Sequence, residues 1–233
     1  FAAEFADPFI AGTPFEGSPM HVSLEVFTLV LDEMLKEGGI VAELSHAARS
    51  ALNTACSQLK EARKLTHKLA RAQGGQGQER AFFSAVAKAL SELEPGGVVL
   101  LPWDGEVPLL LVIRRNQMPN HELCTFTVVN PSQKGSEFHP ADGSTPPKLK
   151  YRTCLEFGGI SLLTLGDEAW WAMFWFGMNT SPDDAASGRL KRGPLKVLYE
   201  VLLPFLTGAS LDRAISQWES ECAETGAAPV PVQ

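Results

Sequence analysis

The chain has 233 residues, 45% hydrophobic and 20% charged, with 20 Lys and Arg against 27 Asp and Glu. That length is enough to bury a full core, which predicts one domain or a domain with an appendage, and the apolar fraction excludes wholesale disorder. A net charge of −7 argues against a general nucleic-acid-coating surface and leaves room only for a local basic stripe.

Residues 1–18 mix Phe, Gly and Pro without a period. They read as an extended arm, with Phe1, Phe5, Phe9 and Phe15 as anchors on the body or on a neighbour. Ser18-Pro19 is a helix start, a capping hydroxyl followed by proline at the first helical position. The predicted helix runs to Lys36, with Phe27, Leu31, Met34 and Leu35 on one side, and Gly38-Gly39 ends it. The next helix carries the clearest pattern in the chain. Val41, Leu44, Ala48, Leu52, Ala55, Leu59, Ala62, Leu65 and Leu69 recur at steps of three and four, one apolar seam of about eight turns. Alanine at many of these positions lets a partner helix approach closely. Gly74 to Gly77 ends the helix. A third helix over 78–93 turns Phe82, Phe83, Val86, Ala89, Leu90 and Leu93 inward, so an antiparallel hairpin of the second and third helices is expected.

At Pro95-Gly96-Gly97 the period changes from helical to extended. Val98 to Leu101, Pro108 to Arg114 and Glu122 to Val129 are β-rich runs joined by turn residues. After a polar loop from Pro131 to Pro147, Lys148 to Phe157 reads as a fourth strand, and the short connections favour an antiparallel meander. Helical signals return at Asp167, which precedes the apolar run Ala169 to Phe176. Pro194 opens a helix with Leu195, Leu198, Val201 and Leu202 inward, and Pro204 is expected to kink or stop it. Ser210 caps a last helix carrying Leu211, Ile215 and Trp218, and a tail follows over 225–233. The class is α+β: an N-terminal helical region (19–94), a central antiparallel four-stranded sheet (95–158) and a C-terminal helical lobe (159–224), read together as one domain.

Cys56, Cys124, Cys154 and Cys222 lie far apart and form no CxxC pair, which predicts reduced and mostly buried thiols. No N-terminal stretch has the order of a signal peptide. Phe1 in place of an initiator methionine points to a mature form or a piece of a longer chain. The longest apolar run, Ala169 to Met178, falls short of the roughly 20 residues of a spanning helix. Asn179-Thr180-Ser181 fits a glycosylation acceptor, a triplet common by chance. The expectation is a soluble, intracellular protein.

Few chemistries leave a motif. There is no GxxxxGK[ST] loop, and Gly74 to Gly77 follows a helix where a nucleotide loop follows a strand. His21, His46, His67, His121 and His139 share no metal-ligand spacing with one another or with a cysteine. No metal and no cofactor is expected. Lys60, Arg63, Lys64, His67, Lys68 and Arg71 lie largely off the apolar seam. Lys60, Lys64, Lys68 and Arg71 are therefore candidates for an anion- or RNA-binding face. No aromatic residue interleaves with these charges, which favours an ordinary solvated face.

Leu101-Pro102-Trp103-Asp104-Gly105 through Leu109-Leu110-Leu111-Val112, then Thr125-Phe126-Thr127-Val128-Val129-Asn130, resembles the His-strand and Asn-strand pair of papain-like cysteine peptidases. Helices followed by an antiparallel sheet are also the layout of that family. The resemblance implies Asn130 as the orienting residue. Where the family places its histidine, this chain has Glu106-Val107-Pro108. No cysteine stands at a predicted helix N-terminus, where amide groups lower a thiol pKa. The resemblance is therefore to a degenerate core. An active hydrolase on this core would draw on Cys154 or Ser18 as nucleophile with His139 and Asn130 nearby. The leading expectation is a non-catalytic interaction or scaffold domain with a protein partner. Its contact candidates are Phe5, Phe9, Phe15, Trp171 and Trp175, although core packing is the more ordinary reading of the Trp-rich helix. A small-molecule pocket leaves no linear signal here.

Overall fold

The computed structural model describes residues 20–36, 44–74, 79–104, 108–117, 122–130, 137–139, 141–142, 150–151, 153–179 and 193–225. The expected α+β class is the observed one: N-terminal helices, a four-stranded antiparallel sheet and C-terminal helices. Helix α1 (Met20–Lys36) buries Leu24 and Thr28, one turn apart, and packs on α2 (His46–Gly74). Two ion pairs cross between them, Lys60 to Asp32 at 2.7 Å and Arg63 to Glu25 at 2.9 Å. The predicted seam of α2 buries Ala62 and Leu65, with the neighbouring Cys56 and Thr66. It faces three partners, since α2 packs on α1, on α3 (Glu79–Ser91) and on the first strand.

The sheet has the order β1-β2-β3-β6, every pair antiparallel, with β1 Val98–Asp104, β2 Pro108–Arg115, β3 Leu123–Val129 and β6 Cys154–Ser161. Alternation along each strand sends one set inward: Leu101 and Trp103, Leu109, Leu111 and Ile113, Phe126 and Val128, Leu155 and Phe157. The fourth strand sits later than its expected bounds of 148–157. Lys150–Tyr151 (β5), at the start of the expected fourth strand, pairs instead with Ala141–Asp142 (β4) of the expected loop in a separate two-stranded ribbon. The strand of the main sheet then continues past Gly158-Gly159 to Ser161. Cys124 pairs with Ile160 while Phe126 pairs with Phe157, so two glycines oppose one residue and form a bulge. Gly159 adopts φ +70°, a left-handed conformation that other residues resist, and this lets the ladder run through a pair that looks like a stop.

Beyond β6, Ser161 caps the short α4 (Leu162–Leu165) by accepting from the Leu163 N–H. Asp167 caps α5 (Glu168–Met178), its carboxylate accepting from the Ala169 N–H at 2.9 Å. Helix α5 is wedged between α3 and the sheet. Trp103 of β1 meets Phe174 and Trp175 at ring separations of 4.9 and 5.5 Å, and Phe82 of α3 meets Trp175 at 5.6 Å.

The helix opened by Pro194 does not stop at Pro204. It runs as α6 (Pro194–Val197), a π-helical turn (Leu198–Leu202) and α7 (Leu203–Thr207). The Leu203 N–H reaches back five residues to the Leu198 carbonyl. A regular turn would press the proline ring on the carbonyl four residues earlier; the wider turn beside it relieves that crowding. Gly208, at φ +69°, ends α7, and α8 (Leu211–Thr225) packs back on β6 and α7. One hydrophobic cluster runs from Leu65 through the sheet and α5 to Leu206.

Candidate functional site

Polar groups inside this core are few, and three of them meet. Asn130 directly follows β3, and its backbone N–H donates to the Thr153 carbonyl at 2.7 Å, which fixes it beside the start of β6. Its side-chain amide donates to the Tyr199 hydroxyl at 3.3 Å, and Nε2 of His139 lies 2.6 Å from the same oxygen. Asn130, His139 and Tyr199 are all buried. The phenol oxygen can accept from the amide and still exchange a hydrogen bond with the ring, the direction following the histidine tautomer. Phe138 stacks on Tyr199 at 4.5 Å and an interplanar angle of 9°. Burial pushes the Tyr199 phenol far above its usual range, and the Asn130 hydrogen bond opposes this only in part. The tyrosine sits in the π-helical turn, so the widened turn places its hydroxyl at the junction of the sheet, the 137–139 segment and the C-terminal lobe.

The remaining member of the hydrolase set, Cys154, lies on the neighbouring strand opposite Val129. Its thiol is half-buried and stands 3.9 Å from the Thr153 hydroxyl. Burial raises its pKa, the Thr153 hydrogen bond lowers it, and the Glu156 charge raises it again; the net direction is up. An activated nucleophile needs the opposite shift. Cys124 is likewise raised by burial, with Arg115 opposing. Cys56, Cys124 and Cys154 are free thiols, the first two buried. The structure thus brings Asn130 and His139 together through a tyrosine that sequence reasoning missed. The available signal was a phenol in the apolar run from Leu195 to Leu203, because a buried Tyr hydroxyl needs a partner.

The contact candidates fall differently from expectation. Phe5, Phe9, Phe15 and the alternative nucleophile Ser18 lie outside the described residues. Trp171 and Trp175 belong to the core: both are buried, and the Trp171 indole donates to the Leu165 carbonyl at 2.7 Å. Their side of α5 faces the sheet and α3, while Met173 and Phe176 on the same helix are exposed. Phe27, expected on one side of α1 with Leu31, Met34 and Leu35, is exposed as well. Leu24 and Thr28 take the inward face, and Val26, Phe27, Leu29 and Val30 are between 41% and 59% exposed. At 100° per residue Val26, Leu29 and Val30 lie on the side of α1 away from Leu24, and Phe27 lies at its flank.

The basic group of α2 is largely answered from within the chain. Lys60 pairs with Asp32, Arg63 with Glu25, and Lys64 with Glu61 at 2.6 Å. Lys68 is exposed, and the Arg71 side chain lies outside the described residues. Among the described residues no three His, Cys, Asp or Glu side chains are grouped to hold a metal ion. No single described helix is long and apolar enough to cross a membrane. No protein-family model matches the chain, and no curated protein and no solved structure matches it.

Proposed function

We propose that this chain is a non-catalytic protein–protein interaction domain, with the outer face of α1 as its contact surface. The observation that carries the reading is the exposure of Val26, Phe27, Leu29 and Val30 together on one helix. Single exposed apolar side chains are ordinary, but a clustered set on a helix face marks an interaction site. Full burial of such a side chain is worth about 1.5–3 kcal/mol relative to exposure. Covering this face therefore offers several kcal/mol to a partner that presents a matching apolar surface.

The engagement of His139 by a buried phenol supports a non-catalytic role, because a general base must reach a substrate proton. The upward shift of the Cys154 thiol points the same way. The test is direct binding of a partner purified by capture on the wild-type chain. The Phe27→Asp, Val30→Asp double variant should bind it at least tenfold more weakly while melting at the wild-type temperature. Undiminished binding by a folded double variant overturns the assignment of this face.

A second reading, a hydrolase on a papain-like core, draws support from the meeting of Asn130 and His139 at one hydroxyl. It predicts labelling by a cysteine- or serine-reactive activity probe that is abolished by His139→Ala. A native chain that takes up neither probe removes it.

A further inference from the structure

We draw no further inference here: the strongest candidate, the exposed apolar side chains Leu163, Met173, Phe176, Val201 and Phe205 of the C-terminal helical lobe, carries none, because nothing among the described residues shows what covers that surface.

Discussion

Nε2 of His139 lies 2.6 Å from the hydroxyl of Tyr199, sixty residues away in sequence and inside the same apolar core. That contact, with the Asn130 amide on the same oxygen, ties the end of β3 to the C-terminal lobe. Tyr199→Phe keeps the ring that stacks on Phe138 and removes only the oxygen. Asn130 and His139 then each lose a buried partner, and a loss of about 1–3 kcal/mol in stability is expected. Urea unfolding with an unchanged slope and a lower midpoint is the expected result. An unchanged midpoint would show that the hydroxyl contributes nothing to holding these elements together.

Two neighbours on α5 separate core from surface. Trp175 is 5% exposed and Phe176 is 67% exposed. Trp175→Ala should cost about 3–5 kcal/mol, enough to unfold a marginal domain. Phe176→Ala should stay within about 0.5 kcal/mol of wild type. Circular dichroism melts of the two variants make the comparison, and equal losses would contradict the orientation of the helix.

Gly177 lies one residue further along the same helix, where alanine ordinarily gains about 0.5–1 kcal/mol over glycine. Here an added Cβ would stand 2.6 Å from Cγ1 of Val197. Overpacking of that kind costs about 1–3 kcal/mol, so it outweighs the helix preference and reverses the sign. Gly177→Ala is expected to lower the melting temperature. Restoration by the double variant Gly177→Ala, Val197→Ala would identify the clash as the cause.

The raised thiols and phenol each make stability depend on alkaline pH. A pKa raised on folding contributes stability below the unfolded value and loses it as pH climbs toward the folded one. For Cys124 and Cys154 the loss begins near the ordinary thiol value, about 8.5, and for Tyr199 near about 10. Stability measured by denaturant at fixed temperature should therefore fall above about pH 9, and the fall should be smaller in the Cys124→Ala, Cys154→Ala variant. At pH 8 both thiols should also react with a disulfide reagent more slowly in the folded chain than in urea. A folded chain whose thiols react as fast as unfolded ones would mean that they are not shielded.

The fold class and the order of elements were legible because their signals are short-range. The alternation of β2 and the Asp167 cap act within a few residues and are found where the period and the capping group put them, while the seam of α2 is buried at Ala62 and Leu65 in a helix that begins at His46. The end of the fourth strand was not legible, since Gly158-Gly159 stops a strand in isolation and bulges one that Phe126 and Cys124 already pair. Pro204 likewise breaks a regular helix, yet the chain takes a π-helical turn and continues.

By itself, then, the sequence determined the α+β class and the order of its main helices and strands, because propensity, period and caps are local properties of the chain. Which faces meet was decided only by the tertiary structure. The same α5 periodicity would serve a core or an interface until β1 and α3 closed over Trp171 and Trp175. The side of α1 that stays in water followed from which side packed on α2, where Leu24 and Thr28 are buried and Lys60 and Arg63 reach Asp32 and Glu25. The meeting of Asn130, His139 and Tyr199 needed three segments that share no local signal, brought together by burial that only the packed core supplies.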